Sequence, residues 1–500
     1  MRGGLRLEGH KARPLGQPVV VAPAPRIAIL ALDQGSGEPA EPLLGPGATV
    51  GIGTRVAAGR GAAADLHAPV SGRVRGVEVL PTTGGPGRCL VIDSDGCDQR
   101  DPALAPLPWA TLEPAELLGQ LAAGGIAGLG GAAFPAAGKL ALAREAGVQW
   151  LLVNGAECEP WICCDDALMR ERAADVVLGT QVMLAACGAG RATIAVEDDK
   201  PQALAALEVA LSSAQDARLE VRVLPAVFPL GAEGLLIAAV TGREVPQAQL
   251  PPQVGVVCQN VGTAAAVARL VTDGLPCVSR IVTVTGSGTR RPANVEARLG
   301  TPVAELVEAC GGYTDAPAPA RLVAGGSLTG QALPTDAVPV TKGLNCVIAA
   351  TAADLPARGA EVPCIRCGDC ATVCPPGLLP QQLHRAAQAE DATGLARYGL
   401  ADCIECGCCD YVCPSAIPLT ARFRAARARQ RLIERERRRA LEARARHERH
   451  RARLAAQAEE ERRAFEDARR RARGEGAPQS ATPADRPEPG GGSSPDPGPG

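Results

Sequence analysis

Aromatic residues are scarce in this 500-residue chain, because Phe, Trp and Tyr together make up only 2% of it. The hydrophobic fraction is nevertheless 46%, so the cores must be built mainly from Ala, Val, Leu and Ile. The sequence contains no apolar run of about 18 residues, which argues against a membrane-spanning helix. It also begins without the charged and then apolar segment of a secretory signal. We therefore expect a reducing cytosolic setting, in which a peripheral position on a membrane stays open.

Two cysteine runs repeat one spacing in the C-terminal third of the chain. The runs are Cys364, Cys367, Cys370 and Cys374 before Pro375, and Cys403, Cys406, Cys409 and Cys413 before Pro414. Each follows the pattern C-x2-C-x2-C-x3-C-P, with which bacterial ferredoxins bind 4Fe–4S clusters. Disulfides or a zinc site are the alternatives, but chance does not explain a duplicated run with a trailing proline. The sequence therefore predicts two 4Fe–4S clusters and a function in electron transfer.

The cluster ligands are predicted to cross between the two runs. In two-cluster ferredoxins, the fourth cysteine of one run ligates the cluster held by the other run. We therefore expect two ligand sets: Cys364, Cys367, Cys370 and Cys413 for cluster 1, and Cys403, Cys406, Cys409 and Cys374 for cluster 2. Cys408 lies off this spacing, and we predict that it is not a ligand.

The chain is predicted to be a multidomain α/β protein. Composition and periodicity divide it into an N-terminal β barrel-sandwich-like domain (1–110), a Rossmann-like domain (111–272), a small α+β unit (273–355), an α-helical twin-cluster domain (356–420), an Arg-rich helix (421–474) and a disordered tail (475–500). Residues 48–56 and 66–74 resemble the two halves of a lipoyl- or biotinyl-type barrel-sandwich. Because no lysine lies between Val56 and Val74, we expect a structural β-domain and not a swinging arm.

Helical and strand patterns alternate over residues 111–270. Helices are predicted at 113–123, 165–188 and 201–213, and strands at 150–154, 191–196 and 219–224. Such alternation is typical of a parallel sheet covered by helices, in which ligands bind at the carboxyl ends of the strands. The following unit is predicted to have strands at 280–285, 321–324 and 346–349 and a helix at 302–310.

A glycine-rich loop at 125–135 leads into a predicted helix that carries Lys139. Glycines permit close approach of the backbone, and a loop that feeds a helix directs N–H groups at a phosphate. Lys139 adds a mobile positive charge. For this loop taken alone, a tight structural turn is the alternative.

Three further loops carry polar residues, and the first two of them follow predicted strands. The first reads Asn154-Gly-Ala-Glu157-Cys-Glu159-Pro, and its carboxylates suit diol hydroxyls while its amide suits the edge of a flavin ring. The other two loops contain Gly231 with Glu233, and Asn260 before a helix.

These loops, in this order, resemble the NADH- and FMN-binding subunit of respiratory complex I and, more closely, the peripheral C subunit of the Rnf electron-transport complex. The resemblance covers residues 1–420 and implies that the unit at 273–355 is a β-grasp domain of the soluble-ligand-binding (SLBB) type. It implies FMN as a cofactor and NADH as the substrate. The implied FMN-binding residues are Gly128, Gly130 and Lys139 at the phosphate, and Asn154, Glu157, Gly231, Glu233 and Asn260 along the flavin. Phe134 and Glu159 are implied to face the nicotinamide nucleotide.

The resemblance implies an NADH-oxidising peripheral subunit on the cytoplasmic side of the inner cell membrane. Its complex would couple electron transfer between NADH and ferredoxin, or another low-potential acceptor, to ion translocation. The expected partners are the other subunits of that complex and ferredoxin. No side chain is expected to act as a nucleophile or a general base, because the hydride chemistry belongs to the cofactors. The alternatives are a soluble flavin/iron–sulfur corrinoid (cobalamin) reductase and a non-catalytic iron–sulfur electron-wire scaffold.

The net charge of −2 conceals a strongly basic segment. Residues 421–474 contain 20 Arg and 9 acidic residues, so this segment carries +11 and the rest of the chain −13. Mixed charges at i,i+4 spacing are typical of an exposed helix. Only Phe423 and Phe465 are aromatic there, so we expect no nucleic-acid binding. A solvated or partner-docking helix is the expected role, and contact with anionic lipid is the alternative.

Overall fold

The computed structural model describes residues 3–35, 37–247, 249–315, 321–356 and 358–474. The predicted disordered tail at 475–500 therefore lies outside the described residues. The chain divides into two compact units, Met1–Arg427 and Ala428–Gly500. The first unit contains every residue that we predict to bind a cofactor.

The N-terminal part contains eight described strands, and all but the first form two antiparallel sheets. The strands are β1 (Val20–Val21), β2 (Ile27–Ala31), β3 (Glu38–Pro42), β4 (Thr49–Val50), β5 (Arg55–Arg60), β6 (Leu66–His67), β7 (Gly72–Thr82) and β8 (Gly85–Ser94). The sheets have the orders β2-β8-β7-β4 and β3-β5-β6. Alternate side chains such as Leu30, Val56 and Ile92 share one core, because successive strand residues point to opposite faces. This is the predicted barrel-sandwich architecture.

A four-stranded parallel sheet, here called the parallel-sheet domain (111–272), follows. Its elements are α1 (Pro114–Ala123), α2 (Ala136–Glu145), β9 (Trp150–Gly155), α3 (Cys164–Glu171), α4 (Ala173–Cys187), β10 (Arg191–Glu197), α5 (Pro201–Ala214), β11 (Leu219–Leu224), α6 (Glu233–Thr241), β12 (Val256–Asn260) and α7 (Val261–Asp273), with 3-10 turns at Trp109–Thr111 and Pro251–Val254. The strand order is β11-β10-β9-β12. Strand β9 is almost continuously apolar, as expected for a strand that helices cover on both faces.

The next unit, here called the β-grasp domain (273–355), is built around a mixed sheet. It contains β13 (Ser279–Thr285), β14 (Ala293–Arg298), α8 (Val303–Ala309), β15 (Arg321–Ala324), β16 (Gln331–Ala332) and β17 (Cys346–Ala350). The sheet order is β1-β14-β13-β17-β15-β16, so the N-terminal strand β1 lies at its edge.

The β-grasp sheet is the wall between two hydrophobic cores. On one face, Ile281 and Ile348 pack into the core of the parallel-sheet domain. On the other face, Val282 and Val347 pack into the core of the barrel-sandwich. The alternation follows from the two-residue period of a strand. The β-grasp domain therefore fixes the other two parts relative to each other.

The sequence predicts one helix over 165–188, but the structure divides it into α3 and α4 at Arg172. This residue has φ −135° and ψ 38°, outside the helical region. Its guanidinium forms an ion pair with Glu296 of β14 (Nη2–Oε2 2.5 Å). No Gly or Pro marks the break, so the local sequence does not reveal it.

The cluster domain (356–420) has short helices around the two cysteine runs. Its elements are α9 (Asp369–Thr372), α10 (Pro380–Gln388), α11 (Ala392–Arg397), a 3-10 turn at Leu400–Asp402, α12 (Cys408–Tyr411) and the start of α13 (Leu419–Ala472). Both runs adopt the same backbone turn: φ is positive at Arg366 and Glu405, and again at Gly368 and Gly407. The sequence repeat is therefore also a structural repeat.

The described part of the second unit is the helical segment from residue 428 onward. Helix α13 contains neither Gly nor Pro and is rich in Ala, Arg and Glu, which favour helices. Its side chains in this unit are almost all exposed. Across the described residues, no helix combines the length and the apolar character needed to span a bilayer.

Candidate functional site

The parallel sheet has its switch point at β9. From β9 the chain first passes to β10 on one side, and β12 is later added on the other side. Asn154 near the end of β9 and Asn260 at the end of β12 are register partners. In open α/β sheets, a crevice forms outside the carboxyl ends of the strands at this point. A cavity of ≈ 420 Å³ lies here, within the usual range for small-molecule sites.

All ten residues predicted to bind FMN or NADH line this one cavity. They are Gly128, Gly130, Phe134, Lys139, Asn154, Glu157, Glu159, Gly231, Glu233 and Asn260. Four separate loops supply them, and the structure brings these loops together. Their proximity is a structural finding, whereas the cofactor contacts stay predictions.

The glycine-rich loop closes on itself before α2 begins. The N–H of Gly128 donates to the Phe134 carbonyl (2.8 Å), and the N–H of Ala133 donates to the Gly128 carbonyl (3.0 Å). Gly130 lies so close to Asn260 that a Cβ atom there would be 3.4 Å from the amide nitrogen. The loop is thus both a tight turn and part of the cavity wall, so the two interpretations of its sequence are compatible.

Lys139 and Glu233 face each other at the cavity. The Nζ atom of Lys139 lies 2.5 Å from Oε1 of Glu233, which is the first residue of α6. A carboxylate at a helix N-terminus is favoured by the helix dipole. Both side chains are partly exposed, so the charges are accessible from the cavity.

The two asparagines are held by hydrogen bonds within and between the loops. Asn154 donates from Nδ2 to the Gly231 carbonyl (2.9 Å) and accepts at Oδ1 from the N–H of Ala156 (3.0 Å). Asn260 caps α7, because its Oδ1 accepts from the N–H of Gly262 (2.8 Å). These bonds fix the two amide groups at the cavity wall.

Glu157 has a structural role in addition to its place at the cavity. Its carboxylate accepts from the N–H groups of Asp165 (2.9 Å) and Asp166 (3.1 Å), at the start of α3. Burial, and next the charge of Asp165, raise the pKa of Glu157 to about 7. Burial also raises the pKa of Asp165, which accepts a hydrogen bond from Nδ2 of Asn260 (2.6 Å).

Glu159 joins the acidic loop to the β-grasp domain. Its Oε1 accepts from the N–H groups of Leu328 (3.0 Å) and Thr329 (2.8 Å), and its Oε2 accepts from the Thr329 hydroxyl (2.5 Å). A Cβ atom at Gly326 would overlap the Glu159 carboxylate. The carboxylate predicted to face a nucleotide is therefore already engaged by the 326–330 loop, and it reaches the cavity together with Thr329.

Gln259 is a cavity residue that the sequence patterns did not reveal. Its side chain is buried, and its Nε2 has no hydrogen-bond partner among the described residues. A buried unpaired amide is costly, so this donor is available to a ligand acceptor. Together with the glycine-rich loop, the two asparagine amides and the partly exposed ring of Phe134, it makes the donor set fit a phosphorylated aromatic cofactor such as FMN.

The thiols of the two cysteine runs group across the runs. Burial raises the pKa of Cys370, and the neighbouring thiols of Cys367, Cys364 and Cys413 raise it further. Burial, with the thiols of Cys406 and Cys403 nearby, raises the pKa of Cys374 to about 11. Cys413 therefore lies near Cys370 of the first run, and Cys374 lies near Cys403 and Cys406 of the second run, in a donor set that suits two cubane clusters. Ligation itself stays a prediction.

Cys408 was predicted not to be a ligand, and the structure places it inside the second group. It is fully buried, and its thiol and that of Cys406 are hydrogen-bonded to each other. The cysteine spacing identifies only the predicted ligands, so it could not show that Cys408 lies beside them.

The second cysteine run contacts the cavity, and the first two cysteines of the first run are exposed. Ile404 and Cys406 line the cavity. A Cβ atom at Gly407 would lie 3.1 Å from the Leu328 carbonyl, so the 326–330 loop also touches this run. Cys364 and Cys367, by contrast, are exposed.

Comparison with protein-family models gives four matches along the chain. Residues 1–97 match the RnfC barrel sandwich hybrid domain, 121–269 the Nuo51 FMN-binding domain, 281–332 the SLBB domain and 363–417 the 4Fe-4S dicluster domain. This combination defines a modular flavin and iron–sulfur electron-transport protein.

Comparison with curated proteins gives the family. The C subunit of the ion-translocating oxidoreductase complex of Rhodobacter capsulatus is 42% identical over 443 residues, which are 88% of this chain and 84% of that protein. The protein of the same name from Pseudomonas aeruginosa is 44% identical over 450 residues, which are 87% of this chain but only 57% of that protein. The chain belongs to the family of C subunits of the ion-translocating oxidoreductase complex. It spans little more than half the length of several of these relatives.

Among solved structures, an NAD+-reducing [NiFe]-hydrogenase in the H2-reduced state is 23% identical, with a TM-score of 0.42. The match covers 59% of this chain and 57% of that chain. At this level the likeness adds no argument about function.

Proposed function

We propose that the cavity binds FMN and accepts electrons from NADH, and that the two cysteine groups bind 4Fe–4S clusters which carry these electrons to a partner. The observation that carries the proposal is the convergence of all ten predicted residues on one cavity whose wall includes Cys406 of the second run. When bound, FMN would accept a hydride and release electrons singly, and the clusters would carry single electrons.

The chain's own residues would position the cofactor and the substrate, and none of them would react. Backbone groups of Gly128 and Gly130 and the ammonium of Lys139 would hold the phosphate. The amides of Asn154, Gln259 and Asn260 would orient the flavin, while Phe134 would offer an apolar face to the nicotinamide nucleotide. Glu159 would act through the 326–330 loop that it holds.

The exposed first run is the proposed exit for electrons. The sequence around Cys364 and Cys367 includes Ile365, whose side chain is 66% exposed. Such an apolar side chain beside two exposed cysteines suits docking of an electron-transfer partner. A partner at this face would approach the group that lies away from the cavity.

The wider setting is proposed from the names of the relatives. They belong to an ion-translocating oxidoreductase complex. We therefore propose that this chain is the peripheral NADH-oxidising subunit at the cytoplasmic side of the inner membrane, with other members of the complex and ferredoxin, or another low-potential carrier, as its partners.

Anaerobic reconstitution of the full chain with iron, sulfide and FMN tests the proposal. We expect release of one FMN per chain on denaturation and bleaching of the visible absorption by NADH. Iron without flavin or a response to NADH would instead identify an electron-wire scaffold. NADH-dependent reduction of a corrinoid, without binding to membranes that carry the complex, would identify the reductase alternative.

A further inference from the structure

The glycine-rich loop has a second side, which faces away from the cavity. Gly128, Gly130 and Ala132 line the cavity. The carbonyls of Gly125, Leu129 and Gly131 instead meet residues of the β-grasp domain. The backbone therefore alternates between the ligand side and the β-grasp side.

Lys342 joins three parts of the protein through its side-chain nitrogen. It lies between β16 and β17 and is fully buried. Its Nζ donates to the Gly125 carbonyl (2.7 Å), at the start of the glycine-rich loop, and to the Asp65 carbonyl (2.6 Å) in the barrel-sandwich. Burial lowers the pKa of Lys342, so these bonds depend on their geometry and not on a full positive charge. Their loss would leave the buried Gly125 carbonyl unpaired.

Arg280 of β13 holds the middle of the same loop. Its side chain is buried, and Nη2 donates to the Leu129 carbonyl (3.0 Å). Nη1 donates to the backbone carbonyl of Lys342, so Arg280 and Lys342 form one connected unit. The residue after Lys342, Gly343, packs so closely that a Cβ atom there would be 2.8 Å from the Gly131 carbonyl.

The residues around Lys342 and Arg280 pack closely against the glycine-rich loop. Gly125 has φ +61°, and a Cβ atom at this position would be 3.0 Å from Nδ1 of His67. His67 is buried, and its Nδ1 has no hydrogen-bond partner among the described residues. The glycine-rich loop thus packs closely against polar groups of the barrel-sandwich and β-grasp domains.

We propose that Lys342 and Arg280 are positioning residues that hold the glycine-rich loop in its ligand-binding conformation. They act through the backbone at Gly125 and Leu129 and touch no ligand. The consequence for the cofactor rests on the proposed function of the cavity, whereas the consequence for the loop does not. The β-grasp domain is then a structural part of the flavin site.

Hydrogen–deuterium exchange on the ligand-free full chain tests the effect on the loop. In Lys342→Met, we expect faster exchange of the amides between residues 124 and 134. The control is Arg298→Met, because Arg298 also links the β-grasp domain to a barrel-sandwich carbonyl (Nη1 to Pro69 O, 2.9 Å) but makes no described hydrogen bond to the loop. Exchange that rises equally in both variants, or in neither, overturns the proposal.

Arg280→Lys is the milder variant if Lys342→Met does not fold. It keeps the charge but loses the planar fork that reaches both Leu129 and Lys342. We expect faster loop exchange in this variant as well, and unchanged loop exchange overturns the proposal.

FMN titration separates this inference from the proposed function. If the wild type binds FMN, the Lys342→Met variant should bind it at least about tenfold more weakly, with altered visible circular dichroism of the bound flavin and unchanged cluster signals. Affinity equal to that of Arg298→Met overturns the link to the cofactor. If the wild type binds no FMN, the proposed function fails. The hydrogen–deuterium exchange comparison still decides whether Lys342 and Arg280 hold the glycine-rich loop.

Discussion

Lys139 and Glu233 form an ion pair across the candidate cavity, with Nζ 2.5 Å from Oε1. The two residues come from α2 and α6, which are far apart in the sequence. Because both side chains are partly exposed, this pair contributes little to stability. Its location instead places a cation near the glycine-rich loop, where an incoming phosphate could compete with the carboxylate.

Replacement of Lys139 should therefore affect the cofactor more than the fold. In Lys139→Ala we expect FMN to bind about 10-fold more weakly or worse, since one charge-assisted hydrogen bond is lost. FMN binding can be followed by the quenching of flavin fluorescence. Arg144→Ala, which removes a cation from the last turn of the same helix, is the matched control. Equal flavin affinity in the two variants would count against the loop assignment.

Crossed ligation predicts which cluster each fourth cysteine supports. Cys374→Ala should damage the cluster of the second run, and Cys413→Ala the cluster of the first run, because each thiol lies beside the opposite group. Low-temperature EPR of the reduced variants distinguishes the two signals. Cys408→Ala should retain both. If Cys374→Ala loses only the signal of the first-run cluster, the crossed arrangement is wrong.

The contact between Glu159 and the 326–330 loop predicts an effect on nucleotide binding from a distant glycine. In Gly326→Ala the added methyl group would collide with the Glu159 carboxylate, so the 326–330 loop, with Thr329, must move away from Glu159 and the cavity. We expect weaker NADH binding and a loss of about 1–3 kcal/mol in stability. Isothermal titration and thermal unfolding measure these effects. The control is Gly359→Ala, where the new Cβ would have no described atom within 4 Å, and comparable losses in both variants would refute the role of this contact.

The raised pKa of Glu157 predicts that the stability of the fold decreases as the pH rises. This pKa is raised from 4.5 to about 7 in the folded protein, so the folded state binds this proton more tightly than the unfolded state does. The resulting stabilisation is fully present below pH 4.5 and is lost as the pH rises to about 7. Thermal unfolding between about pH 5 and 8 should therefore show a smaller loss of stability with rising pH in Glu157→Gln than in the wild type. The exposed-site variant Glu145→Gln should follow the wild type, and parallel curves for all three proteins would contradict the prediction.

The sequence was most informative where a local pattern determines the chemistry. The cysteine spacing, the glycine-rich loop and the residues after strands each led to positions that the structure brings together. Strands β9, β10 and β11 were predictable from their apolar patterns, which are nearly continuous in β9 and alternate with charged residues in β11. Strand β12 was not among the predicted strands. The family resemblance supplied the order of these parts.

Long-range contacts were not predictable from the sequence. Nothing in the sequence around Arg172 indicates a helix break, and its ion-pair partner Glu296 lies more than a hundred residues away. Gln259 lies within a strand, so only the fold shows that its amide reaches the cavity. Lys342 resembles an ordinary surface lysine in the sequence, and its burial beneath the glycine-rich loop depends on three parts of the chain packing together.

Electron transfer from the cavity to the cysteine groups is the central claim. It is tested most directly by EPR of the reconstituted chain after anaerobic addition of NADH, with and without bound FMN. We predict that the reduced-cluster signals seen with dithionite also appear with NADH, and only when FMN is bound. Clusters that dithionite reduces but NADH does not, although FMN is present, would contradict the account.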